Sequence, residues 1–406
     1  MPNSTVGRSP STLVLPAGPA GVRELATALR RTLLDDGPPI ALVPGYAPAA
    51  VTALTRRCVT PAATTSLPEE LAVICPTSGS TGDPRGVLLT IGNLRTASRL
   101  GDDRLGGPAA WFVALPPTSA GGLLAVTRSV LGPLDPTAWT GVAGASRFAA
   151  AGFLAELTDF LGRTTAAGAS ARVSLVPTQL ARLLDHPGGD TTLARLDAVL
   201  VGGGPLAPHL LARAHARGVP VVRSYGMTET SGGCVYDGLP LDEVGVTIGA
   251  DSQIRIAGPT VAAGYLHPSQ RPGMTFDGDS VATGDRGALD DGRLTVLGRL
   301  DDVVAVRGSN VDRGAVELLL TGCPGVSEAA VTSVEHETDG WRLVAFVIGD
   351  ADPTRLRTIV AESLGAAAVP TIVAVGSLPR LPGGKVDLPS LETEARLQLA
   401  REREKR

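Results

Sequence analysis

Short apolar runs ending in clusters of Gly, Pro, Ser and Thr recur along the chain, several followed by a segment with helical spacing. The Leu and Ala positions of Gly21–Leu34 repeat at helical intervals and predict a helix. Leu71–Cys75 and Ala110–Leu115 are continuous apolar runs, the pattern of strands covered on both faces. Leu196–Val201 enters Gly202-Gly203-Gly204-Pro205; a helix from about Ala207 to Ala216 and a strand over Val219–Arg223 follow. Alternation of strand, loop and helix predicts an α/β fold with mainly parallel sheets flanked by helices. The pattern changes after about Gly298. Asp312–Leu320 and Pro353–Leu364 read as helices, and Val326–Val334, Arg342–Ile348 and Thr371–Val375 as strands. These predict a small α+β domain, with the boundary at Arg299–Asp302.

Composition narrows the function classes. The chain has 406 residues, 43% hydrophobic, and a net charge of −4. The only basic run lies in the mixed-charge tail Arg401–Arg406, so neither nucleic acid nor a membrane surface is an expected partner. Ala109–Leu134, the longest apolar region, is interrupted by Pro116, Pro117, glycines and Arg128, so it is not expected to span a bilayer. Cys58, Cys75, Cys234 and Cys323 lack metal or redox spacing, and the start of the chain lacks the pattern of a signal peptide. A cytoplasmic protein is expected. Of 36 basic side chains only Lys385 and Lys405 are lysines. In so arginine-biased a chain, Lys385 outside the tail asks for a reason.

Five segments carry chemistry. Thr77-Ser78-Gly79-Ser80-Thr81-Gly82-Asp83-Pro84-Arg85-Gly86 combines glycines with hydroxyl donors, a phosphate cradle without the common P-loop spacing. Ser224-Tyr225-Gly226-Met227-Thr228-Glu229-Thr230 offers an aromatic face for a base, Thr228 for a phosphate and Glu229 as a hard oxygen ligand for Mg²⁺; the bland alternative is a turn with an exposed Glu. Thr283-Gly284-Asp285 reads as preceding a turn, and Gly298–Asp302 as a charged domain junction. Leu381–Lys385 sets a compact cationic donor on a glycine-rich loop, suited to charge developing on a phosphate or carboxylate.

In this order the segments resemble the adenylate-forming superfamily of acyl-CoA synthetases, over about Leu71 to Leu391. Thr77–Gly86 is similar to its TSGSTGxPKG loop, Tyr225–Thr230 to YGxTE, Thr283–Asp285 to TGD, Gly298–Asp302 to GRxDD, and Gly384–Asp387 to the catalytic-lysine segment. Within the superfamily, Ser174–Leu180, Asp197–Gly204, Gly232–Gly238 and Leu294–Asp302 look like the o-succinylbenzoate–CoA ligases of menaquinone biosynthesis. The resemblance implies a large N-terminal adenylate-forming domain (1–298), a hinge (299–302) at Asp301 and a small C-terminal domain (303–406) that rotates about it. It implies ATP, Mg²⁺ and CoA. Thr77, Ser78, Gly79, Ser80, Thr81 and Gly82 would wrap the β- and γ-phosphates, with Arg85 beside them. Thr81 and Glu229 would hold Mg²⁺, and Thr228 would touch the α-phosphate. Gly202, Gly203, Gly204, Ser224, Tyr225, Gly226 and Met227 would line the adenine pocket, and Asp285 and Arg299 would bind the ribose. Lys385 would bridge the carboxylate and α-phosphate, and a face near Val306–Val311 would meet CoA.

Departures from the pattern are confined. Arg85 stands where the loop usually carries lysine, a change that phosphate binding tolerates. Pro116–Gly122 lacks the histidine of the close family at the acyl pocket, for which Ser119, Thr178 and Gln179 are the candidates. A ligase for another aryl or fatty acid, an enzyme that loads a carrier protein, and a non-catalytic nucleotide-binding paralogue stay open at this point.

Overall fold

The helix Gly18–Leu34 buries Val22, Leu25, Ala26, Leu29 and Leu33 along one stripe and starts three residues before the Gly21 at which the sequence pattern sets its head. It starts at Gly18 because Pro19 at its head presets a helical φ and costs no intrahelical hydrogen bond. The computed structural model describes residues 9–62, 65–77, 84–141, 148–267, 274–336, 340–380 and 386–404.

Three sheets form the first 299 residues among those described. The first runs Ser11–Leu15, Ile40–Pro44, Leu71–Thr77, Arg85–Thr90 and Gly264–Tyr265; its first three strands are parallel and the rest antiparallel. The second has seven strands. Val221–Met227, Ala198–Gly202, Ala171–Leu175, Ala110–Val113 and Thr137–Ala138 lie parallel, and Gly232–Tyr236 and Leu239–Pro240 extend it antiparallel. Trp111 and Phe112 show why the Ala110–Val113 run is apolar throughout. Both are fully buried, Trp111 in the core between the first two sheets and Phe112 on the opposite face among Phe153 and Phe160.

The third sheet was not legible in the sequence. Gly245–Ile248, Gln253–Ala257, Thr275–Asp277 and Arg293–Arg299 pair antiparallel, directly or in turn, with the long strand Ser280–Asp290. Thr283-Gly284-Asp285 therefore does not precede a turn. It lies inside Ser280–Asp290, with Asp285 opposite Arg299, and the reversal comes at Asp291 and Gly292, both at positive φ. A bulge between Arg286 and Gly287 breaks the two-residue alternation that would have marked the strand.

Residues 303–374 build the fourth sheet. Val326–His336 and Gly340–Gly349 form its centre, Val303–Val306 and Ser309–Asp312 one edge, and Thr371–Ala374 the other, parallel to Gly340–Gly349. Helices Arg313–Thr321 and Pro353–Leu364 cover one face, and Leu388–Glu404 packs Leu391, Ala395 and Leu399 on the other. The small α+β unit thus forms its own core, as its pattern predicts.

Arg128, which interrupts the apolar run at Ala109–Leu134, is buried rather than exposed. Its guanidinium lies over the Trp111 ring at 4.9 Å and donates to the Tyr236 hydroxyl at 2.9 Å. Asp102 is its counter-charge and also pairs with the buried Arg172 at 3.2 Å. Gly101 makes room, since a Cβ there would meet Arg128 Nη2 at 1.8 Å. Among the described residues no helix is long and apolar enough to cross a membrane.

Candidate active site

The parallel strands of the second sheet end on one edge, the usual position for ligands in α/β sheets. Ala198–Gly202 ends at Gly202, opposite Ser224 of Val221–Met227. Their separation leaves no room for a side chain at 202: a Cβ would stand 2.5 Å from the Ser224 carbonyl oxygen. Gly203 follows at φ +77°, and Gly204 has open space around it. Gly226 is as constrained, because a Cβ would come 2.0 Å from the Gly232 carbonyl. The glycines bring bare backbone to the strand ends, as close approach to a flat ligand requires.

Beyond Met227 the chain makes a 3₁₀ turn, Thr228–Thr230. Thr230 shapes it, accepting from the Met227 amide at 2.9 Å and donating to the Gly232 carbonyl at 2.8 Å. Thr228 stays half-buried, whereas Glu229 is 3% exposed. The alternative of a turn with an exposed Glu is therefore ruled out. Arg85 Nη2 donates to Glu229 Oε1 across 3.3 Å, and the Tyr265 hydroxyl donates to the same oxygen at 2.7 Å. The Arg85 guanidinium lies over the Tyr265 ring, 4.3 Å from its centroid. Thr77 closes the group: it ends Leu71–Thr77, is paired with Arg85, and accepts the Arg85 amide on Oγ1 at 3.3 Å. The donor set suits a hard divalent cation, since among the described residues both hydrogen bonds to Glu229 fall on Oε1. Ser78, Gly79, Ser80, Thr81 and Gly82 lie outside the described residues, as does Lys385.

A second cluster forms where the third sheet meets the second. The Tyr225 hydroxyl donates to Asp285 Oδ2 at 2.9 Å, and Arg299 Nη1 donates to Asp285 Oδ1 at 3.2 Å. Arg299 also holds Asp301 through Nε at 2.8 Å. Burial pushes the Tyr225 phenol above its ordinary range and the Asp285 charge pushes the same way, so it remains a donor at neutral pH. The structure thus ties Tyr225 by its edge to Asp285. Gly284 lacks a side chain where Arg299 passes, 2.8 Å from the position of a Cβ.

Ser119 and Gln179 take structural duties. Ser119 caps the helix Ala120–Leu131, accepting from the Gly122 amide at 3.2 Å and donating to the Pro116 carbonyl at 2.7 Å. Gln179 accepts the Val176 amide at 3.0 Å at the head of Pro177–Asp185 and donates to the Ala114 carbonyl at 3.4 Å. Thr178, half-buried, stands on the first turn of the same helix. All three follow the ends of parallel strands, on the edge that carries Gly202 and Ser224. Two contacts escaped sequence reasoning. Tyr265 reaches Glu229 only because Gly264–Tyr265 pairs with Arg85–Thr90, and Tyr46 shares a 2.7 Å hydrogen bond with Thr118 from 72 residues away.

The chain belongs to the AMP-binding enzyme family, which matches residues 22–264, and the C-terminal domain of that family matches residues 315–385. Among its relatives is a protein of Mycobacterium tuberculosis named "Probable 2-succinylbenzoate--CoA ligase", 38% identical over 389 residues, covering 93% of this chain and 97% of that protein. The 2-succinylbenzoate–CoA ligase of Geobacillus kaustophilus is 32% identical over 77% of this chain and 67% of its own length. The fold matches o-succinylbenzoate CoA synthetase from Bacillus subtilis, solved with its acyl-adenylate intermediate, at a TM-score of 0.76 and 24% identity over 95% of this chain and 89% of that one.

Proposed function

We propose that this protein is an ATP-dependent acid–CoA ligase that activates o-succinylbenzoate (2-succinylbenzoate) as an acyl-adenylate and passes the acyl group to CoA, a step of menaquinone biosynthesis. The observation that carries the reading is the likeness to the M. tuberculosis protein along nearly the whole of both chains. The two clusters agree with it: Thr77, Arg85 and Glu229 suit phosphate and metal, while Asp285 and Arg299 suit a ribose.

The chemistry follows from what each group offers. A carboxylate is a poor acyl donor because oxide is a poor leaving group. Attack of its oxygen on the α-phosphorus of ATP expels pyrophosphate and makes a mixed anhydride. The CoA thiol then attacks the acyl carbon and AMP leaves. Catalysis of the first step is positioning plus stabilisation of charge at phosphorus. Residues 77–82 would wrap the β- and γ-phosphates with Arg85, and Thr228 would donate to the α-phosphate. Gly202–Gly204 and Ser224–Met227 border the adenine, and Asp285 and Arg299 hold the ribose hydroxyls. Lys385 would bridge carboxylate and α-phosphate. Mg²⁺, held by Glu229 and Thr81, would neutralise phosphate charge. Ser119 and Gln179 border the acid chiefly through the backbone they hold, with Thr178 beside them. Residues 303–406 rotate about Asp301 between the two steps, withdrawing Lys385 and presenting the face near Val306–Val311 to CoA. The supply of ATP and CoA places the reaction in the cytoplasm.

The test is pyrophosphate release from ATP and Mg²⁺ with a panel of carboxylates, with and without CoA. Release with o-succinylbenzoate and a CoA thioester product are expected. Release with a different aryl or fatty acid alone would keep the chemistry and overturn the substrate. Binding of ATP with no release for any acid would favour a non-catalytic paralogue.

A further inference from the structure

We propose that Tyr265 is a positioning residue that keeps one oxygen of Glu229 available to the metal by limiting Arg85 to a single bond with that carboxylate. The inference rests on the reading of Glu229 as the Mg²⁺ ligand. Tyr265 touches both members of the pair by different parts of its side chain. Its hydroxyl donates to Glu229 Oε1 at 2.7 Å, and its ring supports the Arg85 guanidinium at 4.3 Å. Phe276, edge-on at 5.1 Å, braces that ring from another strand.

An arginine beside a buried carboxylate tends toward a bidentate pair, two parallel N–H···O bonds that occupy both oxygens. Here the pair is single and long. Of the two carboxylate oxygens Arg85 Nη2 reaches Oε1 alone, at 3.3 Å, and shares it with the phenol; the same nitrogen also lies 3.7 Å from Met274 Sδ. Ring attraction for the cation draws the guanidinium to the tyrosine face and away from a fork over the carboxylate. Oε2 therefore takes no part in the ion pair. The register explains why Tyr265 can do this: Gly264–Tyr265 pairs antiparallel with Arg85–Thr90, setting Tyr265 opposite Val87, two residues beyond Arg85. Side chains two apart on a strand share a face, so the cation and the ring meet on one side of the sheet. Tyr265 touches neither substrate nor metal in this account; it acts through Glu229 and Arg85.

Tyr265→Phe separates the two contacts, because it keeps the ring under Arg85 and removes the hydroxyl that bonds Glu229 and also approaches Met274 Sδ at 2.8 Å. ATP binding to the full-length protein is measured by calorimetry across a Mg²⁺ series, beside pyrophosphate release with o-succinylbenzoate. The Mg²⁺ concentration for half-maximal ATP binding is expected to rise about tenfold, the scale of one lost hydrogen bond to a charged group. ATP binding at saturating Mg²⁺ and the melting temperature should stay close to wild type. Tyr265→Leu removes both contacts and should weaken ATP binding even at saturating Mg²⁺; if it does not fold, the phenylalanine variant alone decides. An unshifted Mg²⁺ dependence in Tyr265→Phe, or an equal loss at every Mg²⁺ concentration, overturns the proposal. A wild-type protein that releases no pyrophosphate with any acid would overturn the ligase reading, while a shifted Mg²⁺ dependence of binding would still uphold the role of Tyr265.

Discussion

Arg299 holds Asp301, two residues further on, through Nε at 2.8 Å and Nη2 at 3.3 Å, while its remaining nitrogen reaches Asp285. One guanidinium thus links the proposed ribose site to the proposed hinge. Lysine is a point charge and cannot serve two carboxylates in this fork. Arg299→Lys is expected to raise the ATP concentration for half-maximal pyrophosphate release about tenfold, the effect of one lost charge-assisted contact, with little change in the requirement for the acid. An ATP titration at fixed o-succinylbenzoate reads this. An unchanged ATP requirement would remove Arg299 from the nucleotide site.

Lys385 acts, in the proposed cycle, only while the adenylate forms. Lys385→Ala should lower pyrophosphate release by a factor on the order of a hundred or more, as loss of a group aimed at developing charge does. Conversion of supplied acyl-adenylate to thioester should survive. Loss of both half reactions to the same extent would contradict this role. The contrast is informative because arginine serves at position 85 and nearly everywhere else a cation stands, yet not at 385.

At Gly226 the backbone itself is the constraint. The strand Val221–Met227 and its antiparallel neighbour approach so closely there that a methyl group would sit 2.0 Å from the Gly232 carbonyl oxygen. Gly226→Ala must push the strands apart, at a cost of roughly 1–3 kcal/mol for an overpacked site. The melting temperature should fall, and ATP affinity should fall further than at a strand glycine with open surroundings. Wild-type stability and ATP binding in this variant would show that the approach is not needed.

The difference between what the chain reveals and what it hides lies in sequence distance. The helix Pro353–Leu364 and the strand Leu71–Cys75 are legible because their periodicity and breakers are local. Glu229 and Arg85 are legible as chemistry, carried by motifs of a few residues. Tyr265 is not, because its meaning depends on a pairing with a strand almost 180 residues earlier, and an isolated tyrosine after Gly264 carries no local signal. Asp285 is placed correctly by motif and wrongly by structure: the Gly284-Asp285 pair looks like a turn, while the bulge that follows hides the strand containing it. Gln179 shows the reverse failure. Its amide looks available to a substrate, but a helix head needs it for capping.

Glu317 gives the small unit a pH dependence of its own. Burial pushes its carboxyl from an ordinary value of 4.5 up to about 7, opposed by the Val331 amide that it accepts and by Arg313, and reinforced by Asp302 and Glu328. Between those two values the folded chain keeps a proton that the unfolded chain has released. The contribution is therefore fully present below about pH 4.5 and is lost as pH rises through about 7. Glu317→Gln can still accept from Val331 but has no charge to bury. Near pH 4 it should match the wild type. At pH 8 it should be the more stable protein by on the order of 2 kcal/mol, less than the full shift implies because the side chain is only partly shielded from solvent. Denaturant melts of both proteins at pH 4 and 8 check this. Since other titrating groups are common to both chains, the difference between the two isolates Glu317, and a difference that does not grow with pH would show that its carboxyl is ionised at little cost in the fold.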